Sequence, residues 1–305
     1  MPYFLGIDGG GTKTTCAVGD ETKVLAKATA GPSNIVRVGE AQTRDSLKQA
    51  VSQACAAAGI TPERVLRTCV GASGAARPEL AATVRRFLAE MLSTSIDVVG
   101  DMEILLAAAF DTGPGVAVVG GTGSIAYGRD QLGNTARAGG WGFAIGDEGS
   151  AHWVGRSAVT AVLRAADENS QSAAQQSSLI TALLKSWGAA SLLDFARIAN
   201  SVPPPDFASL FPAVAASQDE LAREILINGG RELARIVALV LRRLFAATDP
   251  IPVATTGGVF RHSPTVRDSF YNELARLDGR AKVMQEIVEP VDGALQMARH
   301  AANTA

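Results

Sequence analysis

The sequence predicts an α/β protein made of two copies of one structural plan. In each half a glycine-rich turn lies between an apolar strand and a β-branched segment, and apolar strands then alternate with segments of helical spacing. Each copy gives the order strand, strand, strand, helix, strand, helix, strand, helix, so we infer an internal duplication. The chain has 305 residues, which is enough for two domains.

The first copy begins at residues 5–14, where an apolar strand runs into Asp8 and three consecutive glycines before a β-branched pattern resumes. A third strand is predicted over residues 24–30, and Gly59 is expected to end the first helix as a C′ glycine. The remaining predicted elements are the helix at 47–58, a strand at 65–71, a helix at 79–91, a strand at 96–99 and a helix at 102–110.

The second copy begins with a strand at residues 116–119 that runs into a second glycine turn at 120–124. Two further strands, at 125–127 and ending near Arg137, precede a long helical region at 150–246. One apolar stripe in that region has the spacing of a core-facing helix side. It consists of Leu233, Ile236, Val237, Val240, Leu241 and Leu244. The last predicted elements are a strand at 251–255, a helix after Gly257-Gly258, a strand near Val283 and a helix from Val291.

Each glycine turn is a candidate phosphate site. Glycines let backbone N–H groups approach an anion, and they adopt positive φ without strain. Asp8, at the mouth of the first turn, is placed to hold Mg²⁺ through water. Walker and Rossmann loops open a helix, whereas a strand-like pattern follows both turns here. Two such hairpins facing each other across a cleft would hold one polyphosphate; the alternative is a pair of glycine-rich hairpins without a ligand.

Composition argues against several classes of function. Lys plus Arg number 28 and Asp plus Glu 30, the net charge is −2 and aromatic residues make up 5%, so we expect no nucleic-acid partner. Cys16, Cys55 and Cys69 are far apart and suit buried apolar positions in a reducing compartment. The scattered histidines give no metal-ligand pattern. No signal peptide precedes Asp8 and no apolar run reaches membrane-spanning length, so we expect a soluble cytoplasmic protein without a membrane partner.

Three motifs together carry a family resemblance: Asp8-Gly9-Gly10-Gly11-Thr12, Gly120-Gly121-Thr122-Gly123-Ser124 and the glycine-rich stretch at residues 139–150. With them the chain resembles the superfamily of sugar kinases, actin and heat-shock chaperones and, within it, the N-acetylglucosamine kinase branch of the BadF/BadG/BcrA/BcrD-type ATPase family. The resemblance implies two duplicated ribonuclease H-like (actin-like ATPase) domains, with mixed sheets flanked by helices around a central cleft. It implies an N-terminal domain at residues 1–112 plus 290–305 and a C-terminal domain at 113–289.

The resemblance also implies roles for individual residues. Asp101 is the expected general base, and its place between a strand end and a helix would direct it toward a substrate hydroxyl. The alternative for Asp101 is an N-cap that holds the first N–H groups of the helix. The expected sugar-binding residues are Asn34, Asp101, Gly140, Trp141 and Asp147. The alternatives are a core aromatic for Trp141 and a solvated pair before a helix for Asp147 and Glu148, and the role of Glu148 stays open.

The nucleotide site follows from the same resemblance. The expected ATP-binding residues are Gly9, Gly10, Gly11, Thr12, Lys13, Gly121, Thr122, Gly123, Gly257 and Gly258. Gly257 and Gly258 match the turn that lets the adenosine approach the backbone, and Mg²⁺ is expected at Asp8 through water. Ala138 departs from the cysteine that precedes the glycine pair in animal members.

The implied function is ATP-dependent phosphorylation of the 6-hydroxyl of N-acetylglucosamine, with a small amino sugar as the partner and ATP and Mg²⁺ as the cofactors. Glucosamine is the alternative acceptor, because bacterial members of this branch divide between the two sugars. The resemblance also allows a homodimer.

Three rival functions are weaker. ATPases that activate 2-hydroxyacyl-CoA dehydratases hold an iron–sulfur cluster with clustered thiolates, which the three separated cysteines do not supply. A sugar-sensing regulator is disfavoured because few residues precede Asp8 and the C-terminus is not basic. A non-catalytic ATP-binding module is disfavoured by the presence of both Asp8 and Asp101.

Overall fold

The computed structural model describes residues 2–75, 77–168, 177–246 and 250–303. The chain forms two compact units. Unit 1 comprises Met1–Gly113 and Val288–Ala305, and unit 2 comprises Pro114–Ile287. The C-terminal segment therefore packs with the N-terminal part of the chain.

Unit 1 is built on a five-stranded mixed sheet. Its strands are β1 (Tyr3–Gly9), β2 (Thr14–Gly19), β3 (Val24–Ala30), β4 (Val65–Ala72) and β5 (Ser95–Gly100). They lie in the order β3-β2-β1-β4-β5; the pairs along β1, β2 and β3 are antiparallel, and the pairs along β1, β4 and β5 are parallel. The first helices of the chain are α1 (Ile35–Ala57), α2 (Pro78–Ala89) and α3 (Asp101–Phe110).

Unit 2 repeats this sheet. Its strands are β6 (Gly115–Gly120), β7 (Ser124–Arg129), β8 (Thr135–Gly139), β9 (Ile251–Thr256) and β10 (Ala281–Ile287). The order β8-β7-β6-β9-β10 and the strand directions match those of unit 1, which confirms the predicted duplication and the α/β class with two mixed sheets. The helices of unit 2 are α4 (Ala151–Glu168), α5 (Ser178–Trp187), α6 (Leu192–Ala199), α7 (Phe211–Ala216), α8 (Glu220–Leu244), α9 (Gly258–His262) and α10 (Pro264–Leu277).

The chain ends with α11 (Pro290–Asn303), which packs on α3 and β1. Gly293 makes the close contact with α3 possible, because a Cβ there would lie 1.9 Å from the Ile104 carbonyl oxygen. Leu295 of α11 is completely buried against this side of the sheet. The contact fixes the start of α11, and with it Glu289, relative to the carboxyl end of β1.

The predicted helix and core patterns are largely confirmed. Gly59 has a φ of 67° just after the α1 C-cap, and its N–H donates to the Ala56 carbonyl, as a C′ glycine does. The stripe on α8 is core: Leu233, Val237 and Leu241 are completely buried in the cluster that fills unit 2. Unit 1 has two smaller clusters, one on each side of its sheet.

One sequence expectation was too simple. The helical region at 150–246 divides into α4 to α8, because turns such as the one at Gly188, with a φ of 64°, interrupt it; residues 169–176 of the region lie outside the described residues. Strand β2 begins at Thr14, so Thr12 belongs to the first glycine turn. In the described part of the chain no single helix is both long and apolar enough to cross a membrane, although α5 and α6 satisfy that test together as a bent pair.

Candidate active site

The first glycine turn is a tight hairpin that closes around its own backbone. Gly9 pairs with Thr14, and the Gly10 N–H donates to the Lys13 carbonyl at 3.1 Å. The N–H groups of Gly11 and Lys13 make no hydrogen bond within the described ranges, so they can serve as donors to an anion. We expected these glycines to be needed for positive φ angles. That expectation is wrong, because none of Gly9, Gly10 and Gly11 has a positive φ. Space is the reason at Gly9, because a Cβ there would lie 3.0 Å from the Ser33 hydroxyl oxygen.

Asn34 is attached directly to this turn. The Gly10 carbonyl accepts hydrogen bonds from the Ser33 N–H at 3.0 Å and the Asn34 N–H at 3.2 Å. The Thr14 hydroxyl donates to the Gly31 carbonyl at 2.7 Å and accepts from the Ser33 hydroxyl at 2.7 Å, which completes the attachment. The Asn34 side chain also caps α1, where its Oδ1 accepts from the Val36 and Arg37 N–H groups. The cap uses Oδ1, and within the described part of the chain Nδ2 has no acceptor, so its two donors can serve a ligand.

The parallel strands bring Asp8 and Asp101 to the same edge of the sheet. Gly9 pairs with Ala72 and Ala72 pairs with Gly100, so the carboxyl ends of β1, β4 and β5 lie side by side. Asp101 is the first residue of α3 and Gly100 is its N-cap. The Glu103 carboxylate accepts the Gly100 N–H at 3.0 Å and so takes the capping role. Asp101 thus lies one position after the N-cap, but its Oδ1 still accepts the Met102 N–H at 3.0 Å, so one carboxylate oxygen holds an N–H group of the first helical turn. Among the described residues the other oxygen has no hydrogen-bond donor.

The charges around Asp8 act mainly against its ionisation. Burial and the Asp101 carboxylate raise the pKa of Asp8 to about 7; Lys13 lowers it, and Glu289 raises it further. Sequence reasoning missed Glu289. The duplication was the signal that could have found it, because Glu289 lies between the last strand of the second copy and its final helix, as Asp101 does in the first copy.

The acidic groups suit a cation held mostly by other ligands. Among the described residues no group of three or more His, Cys, Asp or Glu side chains could hold a metal ion directly. Asp8 nevertheless carries a raised pKa next to two further carboxylates, and a divalent cation would offset that excess of negative charge. Mg²⁺ typically keeps several waters and binds through one or two carboxylates plus phosphate oxygens. The residues around Asp8 fit Mg²⁺ held in this way.

The second glycine turn is held by the helix that follows it. Its Gly121 N–H donates to the Gly123 carbonyl at 3.0 Å. The first N–H groups of α4 donate to carbonyls of the turn. The Ala151 N–H donates to the Gly121 carbonyl at 2.9 Å, and the His152 N–H donates to the Thr122 carbonyl at 3.4 Å. The Gly123 N–H makes no hydrogen bond within the ranges that the structure describes. Because α4 binds the carbonyl groups of the turn, the N–H groups on its other side are the ones that an anion could contact.

Asp147 lies against this turn and is buried, so the solvated-pair interpretation is wrong for Asp147. A Cβ on Gly123 would lie 2.7 Å from the Asp147 Oδ2. Asp147 has a φ of 62°, which is rare for a residue other than glycine and marks a constrained position. Burial raises the pKa of its carboxyl, while hydrogen bonds from the Gly142 and Ser124 backbone lower it. Glu148 joins the same region through its carbonyl, which accepts the Ser124 hydroxyl at 2.7 Å.

Gly140 and Trp141 lie on the loop between β8 and α4. Gly140 has a φ of 69° and donates its N–H to the Ser124 carbonyl at 2.9 Å, which attaches the loop to β7. Trp141 is 67% exposed, so the core-aromatic interpretation is wrong. The Arg137 guanidinium lies 4.5 Å from the centre of the Trp141 ring. An exposed indole held by a cation–π contact is a flat apolar surface on which a ligand can pack.

Gly257 and Gly258 adjoin the second turn from the other side. Gly257 has a φ of 102°, and a Cβ there would lie 2.3 Å from the Gly120 carbonyl oxygen. Gly258 begins α9, and the only described neighbour of a Cβ at that position is His262 at 3.9 Å. The residues of the candidate site thus form one group in each unit. Unit 1 brings together Asp8, Gly9, Gly10, Gly11, Thr12, Lys13, Asn34 and Asp101, and unit 2 brings together Gly121, Thr122, Gly123, Gly140, Trp141, Asp147, Gly257 and Gly258.

The three cysteines take no part in either group. Cys16, Cys55 and Cys69 are free and buried in unit 1, as the sequence predicted. Burial raises the pKa of all three thiols, to about 11 at Cys55 and about 12 at Cys69. Thiols with raised pKa values are protonated at neutral pH and are poor ligands for a cluster or a metal ion.

Comparisons with known proteins show that the whole chain is similar to amino-sugar kinases. An N-acetylmuramic acid/N-acetylglucosamine kinase of Clostridium acetobutylicum is 30% identical over 304 residues, covering 98% of this chain and 99% of that protein. An N-acetyl-D-glucosamine kinase of Dictyostelium discoideum is 28% identical, with 97% of each chain covered. The crystal structure of a candidate N-acetylglucosamine kinase from Chromobacterium violaceum has a TM-score of 0.76 and 26% identity, and the match covers 98% of this chain and 99% of that one.

The family comparison covers nearly the whole chain, including the glycine turns of both units and the C-terminal helix. The sequence profile of the BadF/BadG/BcrA/BcrD ATPase family matches residues 5–298. A match of this extent leaves only the two ends of the chain outside the family pattern. The chain belongs to the BadF/BadG/BcrA/BcrD ATPase family.

Proposed function

We propose that this protein is an ATP-dependent sugar kinase that phosphorylates the 6-hydroxyl of N-acetylglucosamine. The observation that carries the proposal is the attachment of Asn34 to the first glycine turn, with Asp101 at the adjoining strand edge. In this proposal Asn34 is a directional sugar ligand and Asp101 a carboxylate base, and both lie near the backbone donors of Gly11 and Lys13, which suit a phosphate. The two curated relatives are named as kinases of the same amino sugar.

In this proposal Asp101 is the general base. Its carboxylate accepts the proton of the 6-hydroxyl as the hydroxyl oxygen attacks the γ-phosphorus of ATP, and the bond from that phosphorus to the bridging oxygen of ADP breaks. The donors of the first turn, Gly11 and Lys13, bind phosphate oxygens and stabilise the charge that develops on them. Asp8 would hold Mg²⁺ through water, and the metal ion would supply positive charge that offsets the charge of the phosphates.

The residues of unit 2 have complementary roles in the proposal. The N–H side of the Gly121-Thr122-Gly123 turn binds phosphate oxygens, and the Gly257-Gly258 turn lets the nucleoside approach the backbone. Gly140, Trp141 and Asp147 contribute to sugar binding, with the exposed indole of Trp141 as an apolar surface. Asp147 also keeps the second turn in shape, because its carboxylate lies against Gly123.

The engagement of Asp147 favours a neutral acetamido sugar over glucosamine. An exposed acid would attract the ammonium group of glucosamine, but the Asp147 carboxyl is buried and already accepts hydrogen bonds from Gly142 and Ser124. Burial also raises its pKa, which weakens its action as a counter-ion. Glucosamine remains the alternative acceptor in the test below. The dehydratase-activator function is disfavoured further, because the cysteines are buried with raised pKa values.

The test is ADP release from ATP and Mg²⁺ with N-acetylglucosamine, glucosamine, N-acetylmannosamine and glucose offered separately. We expect the fastest turnover with N-acetylglucosamine, a phosphate at carbon 6 of the product by NMR, and none with the 6-deoxy analogue. Asp101→Asn should lower kcat by about 10²–10⁴-fold while ATP still binds. The matched control is Asp45→Asn, because Asp45 is exposed on α1 and lies outside the candidate site.

Each outcome has a defined meaning. Turnover on glucosamine alone would replace the acceptor and keep the mechanism. ATP hydrolysis that no sugar stimulates would exclude the kinase function and favour an ATPase switch. Full activity of Asp101→Asn would show that Asp101 is not the general base, while the assignment of the protein as a kinase would stand.

A further inference from the structure

Arg37 is a charged residue at the first glycine turn that the proposed function does not use. Its guanidinium Nη1 lies 3.6 Å from the position that a Cβ on Gly11 would occupy, and its Cδ lies 3.9 Å from it. Arg37 is exposed and makes no ion pair or side-chain hydrogen bond with any residue that the structure describes. Some other exposed arginines of unit 1 are paired, such as Arg44 with Glu90 and Arg86 with Glu40.

The backbone holds Arg37 in this place. Asn34, which is attached to Gly10, starts a single helical turn over residues 35–38, and the Arg37 N–H donates to both the Asn34 carbonyl and its Oδ1. Gly39 then breaks the helix with a φ of 77° and a ψ of 173°. A residue with a Cβ is strained at that φ, so the break requires glycine. The short turn that carries Arg37 therefore follows the glycine hairpin rather than the axis of α1.

We propose that Arg37 binds a carboxylate on the acceptor sugar and so extends the substrate range to N-acetyl amino sugars with an acidic substituent. This proposal rests on the proposed kinase function. A planar guanidinium offers paired N–H donors that match the two oxygens of a carboxylate. Arg37 shares its helical turn with Asn34, the proposed sugar ligand, so a carboxylate attached to the sugar ring is within the reach of a long side chain.

The charge of the site explains why an acidic sugar would need this residue. Asp8 is surrounded by the Asp101 and Glu289 carboxylates, with Lys13 as the opposing cation. An additional carboxylate on the substrate would be repelled by these groups unless a cation faced it. When a neutral sugar binds, the Arg37 guanidinium stays in water and keeps its hydration, so binding carries no desolvation cost at this residue. The arrangement thus permits both neutral and acidic acceptors.

The phosphoryl group of ATP is the other anion that Arg37 could face. The carboxylate is favoured because Arg37 lies on the Asn34 turn and not on the hairpin, and because the hairpin has its own cation in Lys13 and its own donors in Gly11 and Lys13. The two ligands give different kinetics. Loss of a contact to the phosphoryl group would slow every acceptor equally, whereas loss of a contact to a sugar carboxylate would slow only acidic acceptors.

The experiment compares N-acetylmuramic acid, whose lactyl ether carries a carboxylate, with N-acetylglucosamine, in the wild type and in Arg37→Gln and Arg37→Lys. We expect Arg37→Gln to lower kcat/KM for N-acetylmuramic acid by about 10- to 100-fold, mainly through KM, because a charge-assisted hydrogen-bonded pair is lost. The value for N-acetylglucosamine should change less than about twofold, and Arg37→Lys should recover part of the loss. Added salt should raise KM for the acidic sugar only.

The matched control is Lys48→Gln, which removes one positive charge from an exposed position further along α1. It should leave both acceptors unchanged. Equal losses on both sugars in Arg37→Gln would overturn the proposal and assign Arg37 to the phosphoryl group. A wild type that phosphorylates N-acetylglucosamine but not N-acetylmuramic acid would overturn it and leave the proposed function standing. If no sugar is phosphorylated, the affinity for N-acetylmuramic acid is measured by calorimetry. Equal affinities of the wild type and Arg37→Gln would contradict the role of Arg37.

Discussion

The Asn34 N–H donates to the Gly10 carbonyl at 3.2 Å, which joins a proposed sugar ligand to a proposed phosphate turn by one backbone hydrogen bond. The Ser33 N–H shares the same acceptor at 3.0 Å. Acceptor and donor substrates must be aligned within a fraction of an ångström for in-line transfer. A direct backbone link between the two binding elements provides that alignment without a flexible side chain between them.

The double role of Asn34 gives the first prediction. Asn34→Asp keeps an oxygen that can cap α1 but loses the Nδ2 donors and adds a negative charge near Asp8 and Asp101. We expect the free energy of unfolding to change by less than about 0.5 kcal/mol and KM for the sugar to rise at least about tenfold. Asn34→Ala should lower stability by about 1 kcal/mol and also raise KM. Urea denaturation and steady-state kinetics measure both quantities; a normal KM in Asn34→Asp would exclude the amide as a sugar ligand.

The second prediction concerns the turn that follows β9. Gly257 has a φ of 102°, and a Cβ there would lie 2.3 Å from the Gly120 carbonyl oxygen, which cannot move without disturbing the second glycine turn. Gly257→Ala should therefore lower the free energy of unfolding by at least about 2 kcal/mol and weaken ATP binding. Gly279→Ala is the control, because no atom of the described residues, other than its chain neighbours, lies within 4 Å of a Cβ there. Thermal denaturation with and without ATP tests this, and equal Tm values for the two variants would contradict the close contact.

Much of the fold follows from local patterns in the sequence. Several strands are short apolar runs that end in glycine, such as the one that ends at Gly9, and the core stripe on α8 has the helical period. The duplication could be inferred because the same order of elements occurs twice. Glycines with a positive φ, such as Gly59, mark helix ends in the sequence as they do in the structure. These signals act over a few residues and need no knowledge of tertiary contacts.

The parts that were missed depend on contacts between distant segments. The solvated-pair alternative left open for Asp147 is excluded by its burial against Gly123, which arises from the path of the loop after β8 and not from its neighbours in sequence. Glu289 acts on Asp8 only because α11 packs on β1 and α3. The capping of α3 by Glu103 could have been found, because an acid three residues after the N-cap is a local signal.

The backbone at Asp147 gives the third prediction. Asparagine tolerates a φ of 62° better than alanine does, and it keeps the shape of aspartate. Asp147→Asn should therefore fold with nearly unchanged stability but raise KM for the sugar, whereas Asp147→Ala should also lose about 1–3 kcal/mol of stability through backbone strain and unpaired N–H groups. Denaturation midpoints and KM values measure the two effects. Equal destabilisation by both substitutions would show that the charge of Asp147, not its conformation, supports the loop.

The fourth prediction follows from the electrostatics of Asp8. Burial and the Asp101 carboxylate raise the pKa of Asp8 to about 7 from 3.8. The folded protein therefore binds a proton more tightly than the unfolded chain, and stability falls as pH rises from about 4 to about 7. Asp8→Asn removes this loss, so without Mg²⁺ and nucleotide it should exceed the wild type by about 1–3 kcal/mol at pH 8 and match it near pH 4. Denaturation curves at both pH values measure the difference, and Asp45→Asn, at an exposed position of α1, should show no such trend. A gain for Asp8→Asn that is the same at both pH values would contradict the raised pKa, because a neutral Asp8 at pH 4 has no charge to relieve.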